Sequence, residues 1–282
     1  MRTEIYPSIW KGLKILALLV VIILAITFLM PLYWMVTGSF KVMTATYVVP
    51  PDLFPKNPTI ENYIQLLFRN IPSFRWLTNS FIVAGGATIL IILFSSLAGY
   101  SFAKKRFPGR TILFWLLLAT IMLPLQVTFI PLFILMRRLN LFNTLLGMLL
   151  PGVAWPFGIF LMRQFIQTIP SEIIDAGRID GASEIGIWWR IIIPLSKPAL
   201  GALGIFSFMG VWNDYMWQLV MAKDVKMMTL PVGVSGVMRG QTLINYGLGM
   251  AGATFAFIPM LVIFLVFQSY FVKGLTMGAV KG

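Results

Sequence analysis

The sequence predicts an all-α membrane protein with six transmembrane helices, and three observations carry that reading. Hydrophobic residues make up 59% of the 282-residue chain and charged residues 11%, too little polar surface for a water-soluble domain of this size. Six largely uncharged runs match the about 20 residues needed to cross roughly 30 Å of hydrocarbon. Each run is continuously apolar instead of alternating every second residue, which selects helices over barrel strands.

The first run, 15–33, follows Lys11 and Lys14. It is too long for a signal peptide and lacks a small-residue cleavage site, so it reads as an uncleaved start-transfer helix. An outer loop, 38–79, comes next. Its Pro50, Pro51, Pro55, Pro58 and Pro72 exclude long regular elements and leave room for one short helix near 60–67, as in a lid or docking surface. Runs 81–103, 111–136 and 144–162 supply three further spans, followed by a charged segment, 163–198. The fifth span, 199–222, is interrupted by Asp214, and the sixth is 249–272. Between these two, the loop 223–245 carries Gly233, Gly236 and Gly240, which supply flexible backbone. The whole chain, 1–282, reads as a single transmembrane domain. Pro124, Pro131, Pro151, Pro156 and Pro259 interrupt backbone hydrogen bonding within spans. Lipid tolerates that only beside neighbouring helices or a cavity, so the kinks either line a pathway or merely fit helices together. The small residues Ser95 with Gly99, and Gly249 with Ala253, predict close helix approach.

Orientation follows from the basic residues. With the N-terminus inside, thirteen Lys and Arg fall on the cytoplasmic side and nine outside. Arg137 and Arg138 oppose this placement, and the cluster Lys104-Lys105-Arg106 in an equally short loop outweighs them. Both termini and the segment 163–198 are therefore expected in the cytoplasm.

The formal charge of +13 does not mark a nucleic-acid binder, because the basic residues flank apolar runs singly or in pairs. The absence of Cys and His removes thiolate and Ser-His chemistry and most zinc sites, and the carboxylates are not grouped like metal ligands. A Gly-x-x-x-x-Gly-Lys-Ser/Thr phosphate loop is also lacking. The chain reads as a non-enzyme that binds no cofactor or metal itself.

Charge is scarce, yet four of the nine acidic residues fall between Pro170 and Pro198. Pro170 suits a first helical turn, Glu172 the positive end of the helix dipole, and Asp175 and Arg178 can pair along one side. Asp180-Gly181 signals a turn. Ser183 can cap a second helix bearing Ile185, Trp188, Trp189 and Ile192 and ending before Pro194. On composition alone this hairpin is either an amphipathic connector on the inner leaflet or a surface shown to a soluble partner.

The string Glu172-x-x-Asp175-Ala176-Gly177-x-Ile179-Asp180-Gly181-Ala182, then Pro194 and Pro198, resembles the EAA loop of binding-protein-dependent ABC importer permeases. Asn143-Thr144, Phe160-Leu-Met-Arg-Gln-Phe165, Trp212-Asn-Asp-Tyr215, Thr229-Leu-Pro231 and the ending from Tyr270 to Gly282 are similar to the carbohydrate, maltose-permease-like branch. The resemblance covers roughly the C-terminal half. One position departs: Asp175-Ala176-Gly177 stands where the family has Glu-Ala-Ala, and a helical Gly177 costs about 1 kcal/mol relative to Ala.

This resemblance implies the type I ABC importer permease fold and a subunit of a bacterial or archaeal inner-membrane importer that moves a sugar or oligosaccharide. It implies four kinds of partner: a homologous second permease, an ABC ATPase dimer holding ATP and Mg, an external solute-binding protein, and the surrounding lipids. The hairpin would be the coupling helix, with Glu172, Asp175, Ala176, Arg178, Asp180 and Gly181 as ATPase contacts; the tail 274–282 would lie on the same side. Trp212, Asn213, Asp214, Tyr215 and Trp217 are the substrate-pathway candidates, since aromatic faces and amide or carboxylate acceptors suit sugars. Asp214 is costly within a span and should face protein or water, although with Trp217 it equally fits an outer interfacial belt. Gln126 and Asn79 are weaker candidates. The alternatives are a secondary transporter, or an ABC importer for a polyol or glycerol phosphate.

Overall fold

The computed structural model describes residues 7–43, 46, 52–69, 71–239 and 245–276, and every regular element among them is helical. Two compact units emerge, one of residues 1–71 with 234–255 and one of residues 72–233 with 256–282.

In the first unit, α1 (Pro7–Ser39) is longer than the expected 15–33. Its apolar window is 0% buried within the chain, so its Leu, Ile and Val surface is left for lipid or another subunit. The short helix expected at 60–67 is present as α2 (Glu61–Phe68). Asn62 ties it down, with Nδ2 donating to the carbonyls of Ser39 at 2.8 Å and Lys41 at 2.9 Å.

In the second unit, α3 (Ser73–Lys104) starts well before the expected 81. Polar residues ended the apolar run on paper, but burial against the segment 225–228 satisfies them. Trp76 Nε1 donates to the Val225 carbonyl at 2.7 Å, and Asn79 Nδ2 donates to those of Lys226 and Met228 at 2.9 Å. Asn79 is therefore a strut between elements. Along α3 lies α7 (Pro156–Gln167), at a spacing only glycine permits: a Cβ on Gly99 would sit 2.7 Å from Met162 Cβ and 2.9 Å from Arg163 N. Gly158 faces Ser95 in the same way, so the Ser95/Gly99 pair does mark a close approach. Ile91, Met162, Ile166 and Leu203 are buried to 2% exposure or less at the centre of this packing. Within a bilayer such contacts stabilise by van der Waals packing, since lipid is as apolar as the side chains themselves.

Three described helices are long and apolar enough to cross a membrane alone: α1, α3 and α14 (Tyr246–Thr276). Three further crossings are possible, giving up to six, if each of three bent pairs is one span. The pair α4 (Arg110–Thr120) and α5 (Leu125–Arg138) bends by 98°. The pair formed by α6 (Leu145–Leu149), with its 3-10 turn Leu150–Gly152, and α7 bends by 48°. The stretch 184–195 meets α11 (Lys197–Trp212) at 82°. Proline explains much of this: Pro124 precedes α5, Pro151 lies in the 3-10 turn, and Pro156 opens α7, where its missing N–H costs nothing.

Two expectations need correction. Asp214 does not interrupt one continuous helix; α11 stops at Trp212, and Asp214 caps α12 (Tyr215–Met221) by accepting from Trp217 N at 3.2 Å. The loop 223–245 is not simply flexible either, since it contains α13 (Leu230–Arg239). A Cβ on Gly233 would lie 2.2 Å from the Trp76 ring, so this glycine serves contact, not mobility. Gly240 falls outside the described residues.

Candidate functional site

The charged segment folds into the expected hairpin. α8 (Ser171–Ile179) starts after Pro170 and presents Glu172 in its first turn. It ends in a Schellman motif: Ala182 N donates to the Gly177 carbonyl and Gly181 N to that of Arg178, both at 3.0 Å. Gly181 takes φ +78°, the left-handed conformation such a cap requires. Ser183 then caps α9 (Glu184–Ile187) by accepting from Gly186 N at 3.1 Å.

The second helix differs from expectation at its end. It does not stop before Pro194 but runs through a π-helical turn, Trp188–Ile192, into α10 (Ile193–Leu195). The wider turn gives Ile193 N a bond to the Trp188 carbonyl and admits a proline that has no N–H to contribute. Gly177 is buried between the two arms of the hairpin, and a Cβ there would lie 2.8 Å from Ile191 Cδ1, so an alanine would need only that side-chain end to shift.

Two surfaces result. Ile174, Ile187 and Ile192 are buried to 2% exposure or less beneath the hairpin. Glu172, Asp175, Ala176, Arg178, Asp180 and Gly181 are all exposed on the other side. Ile179 and Ile185 stand 86% and 72% exposed beside them, so carboxylates and apolar groups share one protruding face.

A network that the sequence reading missed fastens this face to α3. Glu184 accepts from Tyr100 Oη at 2.8 Å and from Arg178 Nε at 3.2 Å, and forms an ion pair with Lys105. Arg178 Nη1 also donates to Asp175 at 2.7 Å, the pairing anticipated along α8. Lys104 donates to the Ile169 carbonyl and approaches Ser171 Oγ at 3.4 Å. With Arg178 and Glu184 side chains 39% and 48% exposed, each ion pair is worth only about 0.2–1 kcal/mol. The buried isoleucines therefore hold the hairpin in place, and the network sets its orientation. The Lys105 ammonium, aided by hydrogen bonds from Tyr100 and Arg178 and opposed by partial burial, holds the Glu184 carboxyl down at about 2. One signal in the sequence pointed to this network: Lys104-Lys105-Arg106 and the acidic hairpin were placed on the same side, with opposite charge.

The pathway candidates separate. Trp212 is 3% exposed, stacked on Phe208 at 5.5 Å and edge-on to Phe81 at 5.1 Å. Trp217 is 6% exposed, donates from Nε1 to the Gly147 carbonyl at 3.2 Å and meets Phe129 edge-on at 5.5 Å. Both rings are thus packed within this chain. Asn213 and Asp214 remain exposed at the helix break, with Tyr215 partly buried. Gln126 is exposed near the start of α5. Asn143 pins the far end of α12: Oδ1 accepts from the backbone N–H of Lys223 at 3.0 Å and Asp224 at 3.1 Å, while Nδ2 donates to the Asp224 carboxylate at 2.7 Å.

Broken apolar helices packed about α3, with a rigid charged hairpin at one end, define a helical membrane permease subunit. Residues 91–277 match the family of binding-protein-dependent transport system inner membrane components, and the chain belongs to that family. It is 37% identical over 261 residues to the arabinooligosaccharides transport system permease protein AraQ of Bacillus subtilis (strain 168), covering 92% of each chain. It is 34% identical over 253 residues to the sn-glycerol-3-phosphate transport system permease protein UgpE of Escherichia coli (strain K12), covering 88% of this chain and 90% of that one. Its fold matches a chain from the crystal structure of a bacterial ABC transporter involved in import of the acidic polysaccharide alginate, with TM-score 0.84 and 23% identity over 95% of this chain and 100% of that one. The family resemblance read from the hairpin is upheld, and this is an inner-membrane transport component, not an enzyme. The secondary-transporter alternative lapses with that assignment.

Proposed function

We propose that this chain is the transmembrane subunit of an ATP-driven importer that translocates a sugar or oligosaccharide delivered by an external solute-binding protein. The observation that carries the reading is the exposed acidic hairpin, sharply turned at Gly181 and fastened through Glu184 and Lys105 to α3, the helix at the centre of the core. Displacement of such a hairpin by a partner is passed to a membrane helix instead of being absorbed in a loop. The partner is an ABC ATPase dimer holding ATP and Mg, docking on Glu172, Asp175, Ala176, Arg178, Asp180 and Gly181. Both termini and the hairpin face the cytoplasm, and the tail 277–282 lies outside the described residues. The unburied surface of α1 supports a homologous second permease. Within this chain the substrate pathway runs past Asn213, Asp214 and Tyr215.

The sugar reading draws on similarity to the arabinooligosaccharide permease; the glycerol-phosphate permease keeps a phosphorylated polyol as second reading. Binding of both solute types to the cognate solute-binding protein decides between them. For the coupling role, Asp175→Lys and Gly181→Asp are expected to abolish ATP-driven uptake while the membrane subunits still assemble. Unchanged uptake in both variants would remove the assignment.

A further inference from the structure

A cleft of about 240 Å³ lies between the end of α3, the start of α4 and the last turns of α7, away from the hairpin face and the helix break. It is smaller than the roughly 300–1,000 Å³ of ordinary small-molecule sites, a size that suits a small anionic group better than an oligosaccharide. Two guanidinium groups, Arg110 and Arg163, line it. No described carboxylate pairs with either: Arg110 Nη1 donates to the Lys105 carbonyl at 2.8 Å, and Arg163 Nε reaches the Phe102 carbonyl at 3.4 Å. The Arg163 guanidinium lies 3.9 Å over the Phe114 ring, which keeps it against the cleft wall. Two cations that repel each other across one cleft, with no described carboxylate beside them, make it favourable for an anion.

The other wall is apolar. Phe102 and Phe114 meet at 5.5 Å beneath the arginines, and Trp115 flanks them with 64% of its surface exposed. Ile112 and Leu116, at 68% and 59% exposed, continue that apolar face along α4, so the cleft opens where a membrane helix meets its surroundings. The short connection between α3 and α4 borders it, which on the proposed span assignment is where headgroups begin. A site cationic at the headgroup level and aromatic toward the hydrocarbon matches one kind of occupant.

We infer that Arg110 and Arg163 bind the phosphate of an anionic phospholipid, whose acyl chain runs along Phe114 and Trp115. The lipid supplies the counter-charge that no described residue provides. Because α7 leads through Thr168 and Pro170 into the hairpin, the bound lipid also braces the base of that element.

The test uses the full-length chain, purified with the transporter subunits that accompany it and placed in nanodiscs of phosphatidylcholine with a minor fraction of phosphatidylglycerol. Native mass spectrometry then counts the lipids retained. The wild type is expected to retain phosphatidylglycerol over phosphatidylcholine by about tenfold, and Arg110→Gln with Arg163→Gln to lose that preference. Arg110→Lys with Arg163→Lys should keep most of it, and Arg110→Gln alone, which gives up one intramolecular bond, covers the case in which the double variant does not assemble. Equal preference in wild type and the glutamine variants overturns the inference. So does displacement of the lipid by excess inorganic phosphate, which would mark the cleft as a site for a free anion.

Discussion

The hairpin 170–195 and the helix break at 212–217 are both interruptions of apolar helices that carry acidic and aromatic residues, yet the protein uses those residues in opposite ways. In the hairpin Ile174, Ile187 and Ile192 are buried, while every polar candidate stays exposed together with Ile179 and Ile185. At the break the largest aromatic rings are buried, and Asp214 spends an oxygen on capping α12. The lesson is that a polar residue in a membrane span is first a local structural device. Its availability to a partner depends on which of its atoms the backbone leaves unused.

The largest expected effect comes from the hairpin turn. Gly181→Val forces a β-branched residue to φ +78°, at a cost of about 1–2 kcal/mol or more, and breaks the Schellman cap. Uptake in proteoliposomes should fall by at least about tenfold, a 1.4 kcal/mol effect, with subunit assembly preserved. Near-normal uptake would reduce the hairpin to a passive connector and erase the contrast with the break.

A smaller effect is expected at the break, where capping and substrate contact can be separated. Asn caps a helix about as well as Asp, so Asp214→Asn should leave thermal stability unchanged yet raise the KM for uptake several-fold through the altered charge. An unchanged KM assigns Asp214 to capping alone. Trp217→Phe removes the bond to the Gly147 carbonyl, worth about 1 kcal/mol. It should lower the melting temperature by a few degrees and leave KM as it was.

The smallest effect is on acid sensitivity. The folded hairpin depresses Glu184 from 4.5 to about 2, so the network's contribution is fully present above pH 4.5 and is lost as pH falls through 2. Lys105→Met takes away the main cause of that depression. Peptic cleavage at the hairpin, followed between pH 4 and pH 2, should therefore begin at higher pH in Lys105→Met than in the wild type. Identical profiles would mean that Lys105 does not hold Glu184 charged.

Legibility followed the range of the interactions. The helical class, the turn at Gly181, the Ser183 cap and the Asp175–Arg178 pair all depend on residues within a few positions of one another, and all were readable. The early start of α3 was not, because Trp76 and Asn79 find partners about 150 positions away, at Val225, Lys226 and Met228. Glu184 was missed for the same reason: Tyr100 and Lys105 are far from it in sequence. Passage of the helix through Pro194 needed the π turn, which the hydropathy pattern does not announce. The burial of Trp212 and Trp217 depended on Phe81, Phe208 and Phe129, which lie on other helices or an earlier turn.

The account stands on transmission of hairpin movement to the end of α3, and a charge exchange at the ion pair that orients the hairpin tests it most directly. Substrate taken up per ATP hydrolysed is measured in proteoliposomes for Glu184→Lys, Lys105→Glu and the double variant. The account predicts a several-fold fall in that ratio for each single variant and partial recovery in the double variant, limited by Arg178 beside position 184, with ATPase co-purification unchanged throughout. A ratio equal to that of the wild type in both single variants would contradict it.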